Sequence, residues 1–165
     1  MSEITRPIPV DRIGAAGADM AVEASAQELP AVAARLQIPG VTSLRCRFRL
    51  KRLEGSIIAA SGSLSASVTR ECVVSLDEFD QEVDERFEVR FVPEGAETNS
   101  DDPDAPDEIP YAGGAIDLGE AAIEQLALAL EPYPRKPGLP EPQPDDEGEA
   151  APHPFAALAG LRRPQ

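Results

Sequence analysis

From Val41 onward the chain alternates apolar and polar residues with a period of two. Within Val41–Arg52, Leu44, Cys46, Phe48 and Leu50 share one face, and Arg45, Arg47, Arg49 and Lys51 share the other, the pattern of a half-buried strand. Leu53-Glu54-Gly55 supplies a turn, and Ser56–Val74 reads as a second long strand. There Leu64, Ala66, Val68, Cys72 and Val74 alternate with Ser63, Ser65, Ser67, Thr69 and Glu71. Arg70 interrupts the apolar side and marks a bulge or a functional position. Residues 75-SLDE-78 turn the chain into a third strand, Phe79–Val92. Its Phe79, Val83, Phe87, Val89 and Phe91 oppose Asp80, Glu82, Asp84, Arg86, Glu88 and Arg90. Three long strands joined by short turns predict an antiparallel meander with one buried face.

Before the meander, Arg6–Ile13 and Met20–Ala24 read as short strands, the first held to an edge by Pro7 and Pro9. Ala26–Gln37 repeats Leu29, Val32, Ala33 and Leu36 at helical spacing, with Pro30 in the first turn and Pro39-Gly40 as the stop. After the meander, Glu94–Glu108 is acidic and aperiodic. Asp117–Leu130 then carries the clearest helical pattern. Asp117 is its N-cap, Glu120 completes a capping-box spacing, and Pro132 and Pro134 end it. Ile123, Leu126, Ala127 and Leu130 form its stripe, which is expected to cover Leu44, Phe48, Leu64, Val68, Phe87 and Phe91. The fold class is α+β: an antiparallel β-meander of three long strands plus short N-terminal strands, packed by one or two helices.

The pattern also divides the chain. Residues 1–137 form a single α+β domain in which 94–114 is an acidic, mobile loop. Residues 138–152 hold four Pro, five acidic and no basic residues, so they form a disordered linker with a reach of up to ~45 Å at ~3.1 Å per residue. Residues 153–165 form a short amphipathic helix. Phe155, Leu158 and Leu161 fall on one stripe, Pro154 stands at its start, and Arg162 and Arg163 at its end. An apolar stripe beyond an acidic tether is a candidate partner-binding element, the alternative being that it folds back on its own domain.

Charge sharpens this picture. The chain of 165 residues has a formal net charge of −15. Residues 1–70 hold nine Lys and Arg against six Asp and Glu, whereas 71–165 hold six against twenty-four. Such a chain attracts basic partners and repels nucleic acid at long range, so DNA is not an expected partner. The row Arg45, Arg47, Arg49 and Lys51 is the exception. Its side chains leave one face about 7 Å apart, twice a rise of ~3.3–3.4 Å, near the phosphate spacing of a nucleic-acid strand. Arg70 joins them as a candidate contact to RNA or to an acidic partner.

Catalytic chemistry finds little support. The one His, His153, lies in the tail, so no nucleophile–His pair is expected in the domain. No Gly-rich phosphate loop is present. Cys46 and Cys72 read as small core residues, too few for a four-ligand zinc site. No catalytic residue, cofactor or metal is therefore expected. No stretch approaches eighteen apolar residues, and the first residues lack an apolar signal region. A cytoplasmic protein without membrane contact is the expectation.

The order of these pieces resembles the YceD family, the large ribosomal RNA subunit accumulation proteins of bacteria and plastids. The stretches that carry the resemblance are 64-LSASVTRECVVSLDEF-79, 87-FEVRFVPE-94, 115-AIDLGEAAIEQLALALEPYPRKPG-138 and 154-PFAALAGLR-162. The helix and its exit are most similar to alphaproteobacterial members. Many members carry Cys-x-x-Cys at the strand turn; here Cys72 holds the first place and Ser75 the second, so a metal role is not carried over. The resemblance implies a non-enzymatic accessory factor in large-subunit biogenesis. With the acidic charge, it suggests an adaptor for a basic ribosomal protein or assembly factor, the alternative being a direct rRNA-binding module on the basic strand face.

Overall fold

The alternation after Val41 does build strands, because each one offers an apolar face that a covering helix takes out of water and polar backbone edges that a neighbouring strand pairs. The structure is a computed structural model that describes residues 3–98 and 102–140. Strands β2 (Ala18–Glu23), β3 (Gly40–Arg52), β4 (Ile58–Glu71), β5 (Glu78–Pro93) and β6 (Asp107–Tyr111) lie side by side in that order. The first four are antiparallel to their neighbours, and β6 runs parallel to β5. A second ribbon pairs β1 (Pro7–Pro9) with β7 (Ala115–Asp117). Two helices, α1 (Leu29–Leu36) and α2 (Leu118–Ala129), complete the described elements.

The apolar face is largely the predicted one, but Val74 and Ala127, both expected on the buried side, are exposed. Leu44, Cys46, Phe48, Leu50, Ile58, Leu64, Val68, Val83, Val89 and Phe91 are buried with Ile123 and Leu126 of α2 in one core. Helix α2 lies against β4 and β5, and α1 against β3. Each fully buried Leu or Ile contributes about 1.5–3 kcal/mol relative to exposure. Phe87 is only half-buried. Its ring meets that of Phe48 edge-on at 5.4 Å between centroids. Gly62 faces Phe87 across β4 and β5, and a Cβ there would sit 2.4 Å from the Phe87 ring, so the ring covers a position that must lack a side chain.

Helix α2 starts where the sequence places it. Asp117 Oδ1 accepts from the N–H groups of Gly119 and Glu120 at 2.9 and 3.2 Å and also from Arg6 N–H at 2.9 Å. Glu120 does not reach back to complete a capping box. It pairs with Arg35 of α1, which also holds Glu3 at 2.8 Å. Arg6 in turn clamps Glu28 at 3.0 Å. That guanidinium, with Ser25 donors, pulls the Glu28 carboxyl down to about 2.

Several expected elements differ. Only Pro7–Pro9 of the first expected strand pairs; Val10–Arg12 is a single 3-10 turn, since two prolines leave few N–H groups for a ladder. The stretch expected as an acidic loop through residue 114 includes β6 at 107–111. Ile109 and Tyr111 pack against the core, and parallel pairing with β5 supplies what a five-residue strand lacks alone. The bulge lies between Val41 and Ser43 of β3, not at Arg70. Of the linker expected at 138–152, residues 141–152 lie outside the described residues, as does the tail helix expected at 153–165.

Candidate functional site

The polar face of the sheet is built row by row from its register. Glu23, Arg45, Ser65 and Asp84 form one row across β2 to β5, and Asp19, Arg49, Ser61 and Glu88 form another. Arg45 bonds Glu23 at 3.0 Å, and Arg49 bonds Asp19 at 3.2 Å. Two of the candidate arginines are thus neutralised by the edge strand. The row between them is Ala21, Arg47, Ser63 and Arg86, with no carboxylate in it. Lys51 lies two residues further along β3, on the same face as Arg45, Arg47 and Arg49. Ser67 and Thr69 instead donate to Glu82 and Asp80 at 2.7 and 2.9 Å, so the far end of the face is acidic.

Arg70 does not share this face. It lies under the sheet, 7% exposed, and its Nη2 donates to the Glu131 carbonyl at 2.7 Å. Burial lowers its pKa from the ordinary arginine value. Its Nη1 and the Oε1 of Gln81 are both buried without a hydrogen-bond partner among the described residues. Gln81 pairs with Val68 and Arg70 with Phe79, so a donor and an acceptor sit on diagonal positions of one face. Arg70 ties β4 to the chain leaving α2, and the candidate surface reduces to the β3 row.

The turn from β4 to β5 forms a second feature. Cys72 N–H donates to the Asp77 carbonyl and Leu76 N–H to the Cys72 carbonyl, both at 2.9 Å. Val73 N–H donates to the Pro134 carbonyl at 3.0 Å, and Lys136 pairs with Asp77 at 3.6 Å. The knuckle and the exit of α2 therefore brace each other. Backbone N–H groups of Lys136, Ser75 and Val74, with the Ser75 side chain, stabilise the Cys72 thiolate and pull the thiol down to about 6. Ser75 N–H lies 3.5 Å from that sulfur. By contrast, burial alone pushes the Cys46 thiol up to about 12.

This knuckle exposes apolar side chains. Val73, Val74, Leu76 and, from the α2 exit, Tyr133 are 47%, 58%, 70% and 77% exposed. Leu76 is held at φ 60°, a left-handed conformation that a branched apolar residue adopts at a cost. At the base of the knuckle Glu71 faces Glu78 across the strands, two exposed like charges side by side. Turns ordinarily carry Gly, Asn, Asp or Ser. The run Val73-Val74-Ser75-Leu76 was therefore a readable signal of a contact surface that the strand pattern had absorbed. Arg86 was missed for a related reason, since its acidic neighbours on β5 masked it until the register set it opposite Ser63.

The knuckle does not fit a thiolate metal site. Ser75 offers a hydroxyl where a second thiol would stand, leaving Cys72 as the single thiolate of the turn. Among the described residues no three His, Cys, Asp or Glu side chains converge as donors, and no helix is long and apolar enough to cross a membrane.

A small α+β protein with a charge-striped sheet face and an apolar knuckle presents surfaces for contact. The model of the family described as large ribosomal RNA subunit accumulation protein YceD matches residues 60–162. The chain belongs to the YceD family, and its role lies with the accumulation of large-subunit ribosomal RNA. Neither the curated proteins nor the solved structures gave a match.

Proposed function

We propose that this protein supports large-subunit RNA accumulation without catalysis, as an acidic adaptor in the cytoplasm that holds a basic ribosomal protein or assembly factor. The observation that carries this reading is the apolar knuckle, Val73, Val74, Leu76 and Tyr133, set beside the facing carboxylates of Glu71 and Glu78. Exposed apolar side chains rimmed by acid fit a basic protein better than a nucleic acid, which offers phosphates to the wrong sign of charge. The net charge of −15 steers such a partner, and the apolar anchor holds it. The tail stripe Phe155, Leu158 and Leu161 serves as a second grip on the same partner. Direct rRNA contact by the β3 row is less well supported, because Arg45 and Arg49 are spent on Glu23 and Asp19 and Arg70 faces the other way.

The test is capture from cell extract on the tagged full chain, with and without nuclease, beside the variants Val74→Asp and Leu76→Asp. Both positions are exposed, so both variants are expected to fold. Basic large-subunit proteins should remain bound after nuclease and be lost from both variants. Capture that vanishes with nuclease, or that ignores both substitutions, overturns the adaptor reading.

A further inference from the structure

On the polar sheet face, the row of Arg47, Ser63 and Arg86 carries donors with no acceptor among the described residues. Along β2 to β5 the flanking rows each hold two carboxylates and one arginine, and their arginines are ion-paired. In the central row, Arg47 and Arg86 stand on either side of Ser63. None of these three side chains has a hydrogen bond or an ion pair among the described residues. A trough of about 1000 Å³ crosses the sheet at this level, lined in part by Arg47, Arg49, Ser61, Ser63, Arg86 and Glu88. All six of those side chains are exposed on the same face.

Strands lie about 4.8 Å apart, so the Arg47 and Arg86 backbones are roughly 10 Å apart. Two guanidinium forks can therefore meet over the Ser63 hydroxyl. Guanidinium is the side-chain group whose planar donors match phosphate oxygens in pairs. We propose that Arg47, Ser63 and Arg86 form a binding site for one phosphate monoester group.

The neighbouring rows decide between a monoester and a strand of phosphodiesters. A polyanion running along the strands would meet Asp84 on one side and Glu88 on the other, each about 7 Å away at two residues of rise. These carboxylates repel its next phosphates. A terminal or free monoester brings up to two negative charges to two guanidiniums and stops there. Two sources share this chemistry: a small phosphorylated compound, and the phosphorylated end of an RNA strand. The site lies on the sheet face and uses none of the knuckle side chains, so it stands or falls independently of the adaptor reading.

Amide and guanidinium NMR shifts of the full chain, titrated with inorganic phosphate at constant ionic strength, test this site. Saturable shifts are expected at Arg47, Ser63 and Arg86, growing as pH rises and the inorganic phosphate gains its second negative charge. Arg47→Gln and Arg86→Gln should each weaken binding by tenfold or more, while Arg45→Gln leaves it unchanged. All three positions are exposed, so folding is not at stake. A linear response, an equal response to chloride, or an equal loss in Arg45→Gln overturns the proposal. The same RNA oligomer with a 5′-phosphate and with a 5′-hydroxyl identifies the source. Tighter binding of the phosphorylated form assigns the RNA end, and no site-specific shift from either assigns a small compound. Equally tight binding of both through Arg47 and Arg86 makes internal phosphodiesters the ligand and overturns the monoester site.

Discussion

Two cysteines on one strand framework show how far position alone decides chemistry. Cys46 sits between apolar neighbours in the core and has its thiol pushed up to about 12, whereas Cys72, equally closed to solvent, is held down to about 6 by backbone donors. The difference is what surrounds the sulfur: side chains that cannot solvate a charge, or N–H groups aimed at it. Because the folded value of Cys72 lies below the ordinary thiol value near 9, ionisation favours the folded state. That contribution is complete above pH 9. It shrinks as pH falls from 9 to 6, where the unfolded thiol takes up its proton and the folded one does not, and it is gone below 6. Urea midpoints of the protein should therefore rise from pH 6 to pH 9 by more than those of Cys72→Ser, whose hydroxyl does not titrate in this range. Parallel pH profiles for the two proteins would show that the N–H groups around this sulfur do not hold a thiolate.

At the level of elements, the junction of β7 and α2 is fixed by a contact that no side chain can share. A Cβ on Gly119 would lie 2.2 Å from the Ile4 carbonyl oxygen, so the N-terminal segment can only close over α2 because this position is bare. Gly119→Ala raises helix propensity but should still destabilise the domain by about 1–3 kcal/mol, the usual cost of overpacking. The urea midpoint measures it, and an unchanged or higher midpoint would mean that the segment around Ile4 is not seated on α2. How much of this architecture was legible follows the same logic. The period-two runs of β3, β4 and β5 and the Asp117 cap were readable because each is a local pattern that packing merely confirms. Strand β6 was not, since Asp107 and Glu108 resemble the acidic loop before them and only parallel pairing with Val89 and Arg90 makes them a strand. The candidate site divided likewise. The row Arg45, Arg47, Arg49 and Lys51 was visible from alternation, but which of its members are already paired depends on β2, whose register no local pattern states.

Across the whole molecule, charge and apolar surface are separated into distinct places. The core is built from residues between Ile4 and Leu130, and the acidic excess gathers on β5, the loop after it and the spacer. In the proposed reading the tail stripe Phe155, Leu158 and Leu161 grips a partner rather than this domain. If its docking surface belongs to a partner, deleting 153–165 should move the thermal midpoint by less than about 2 °C, because a loss of even 1 kcal/mol would shift it by roughly 2–8 °C in a domain of this size. The same deletion should weaken association with large-subunit components by at least about tenfold, or ~1.4 kcal/mol. Scanning calorimetry of the full and truncated chains, read beside partner capture, separates the possibilities. A midpoint lowered by several degrees makes the stripe part of the chain's own core. An unchanged midpoint with unchanged capture leaves the knuckle as the sole anchor. Only the combination of an unchanged midpoint and lost capture assigns Phe155, Leu158 and Leu161 to the partner, because only a contact outside the domain can be removed without touching its stability.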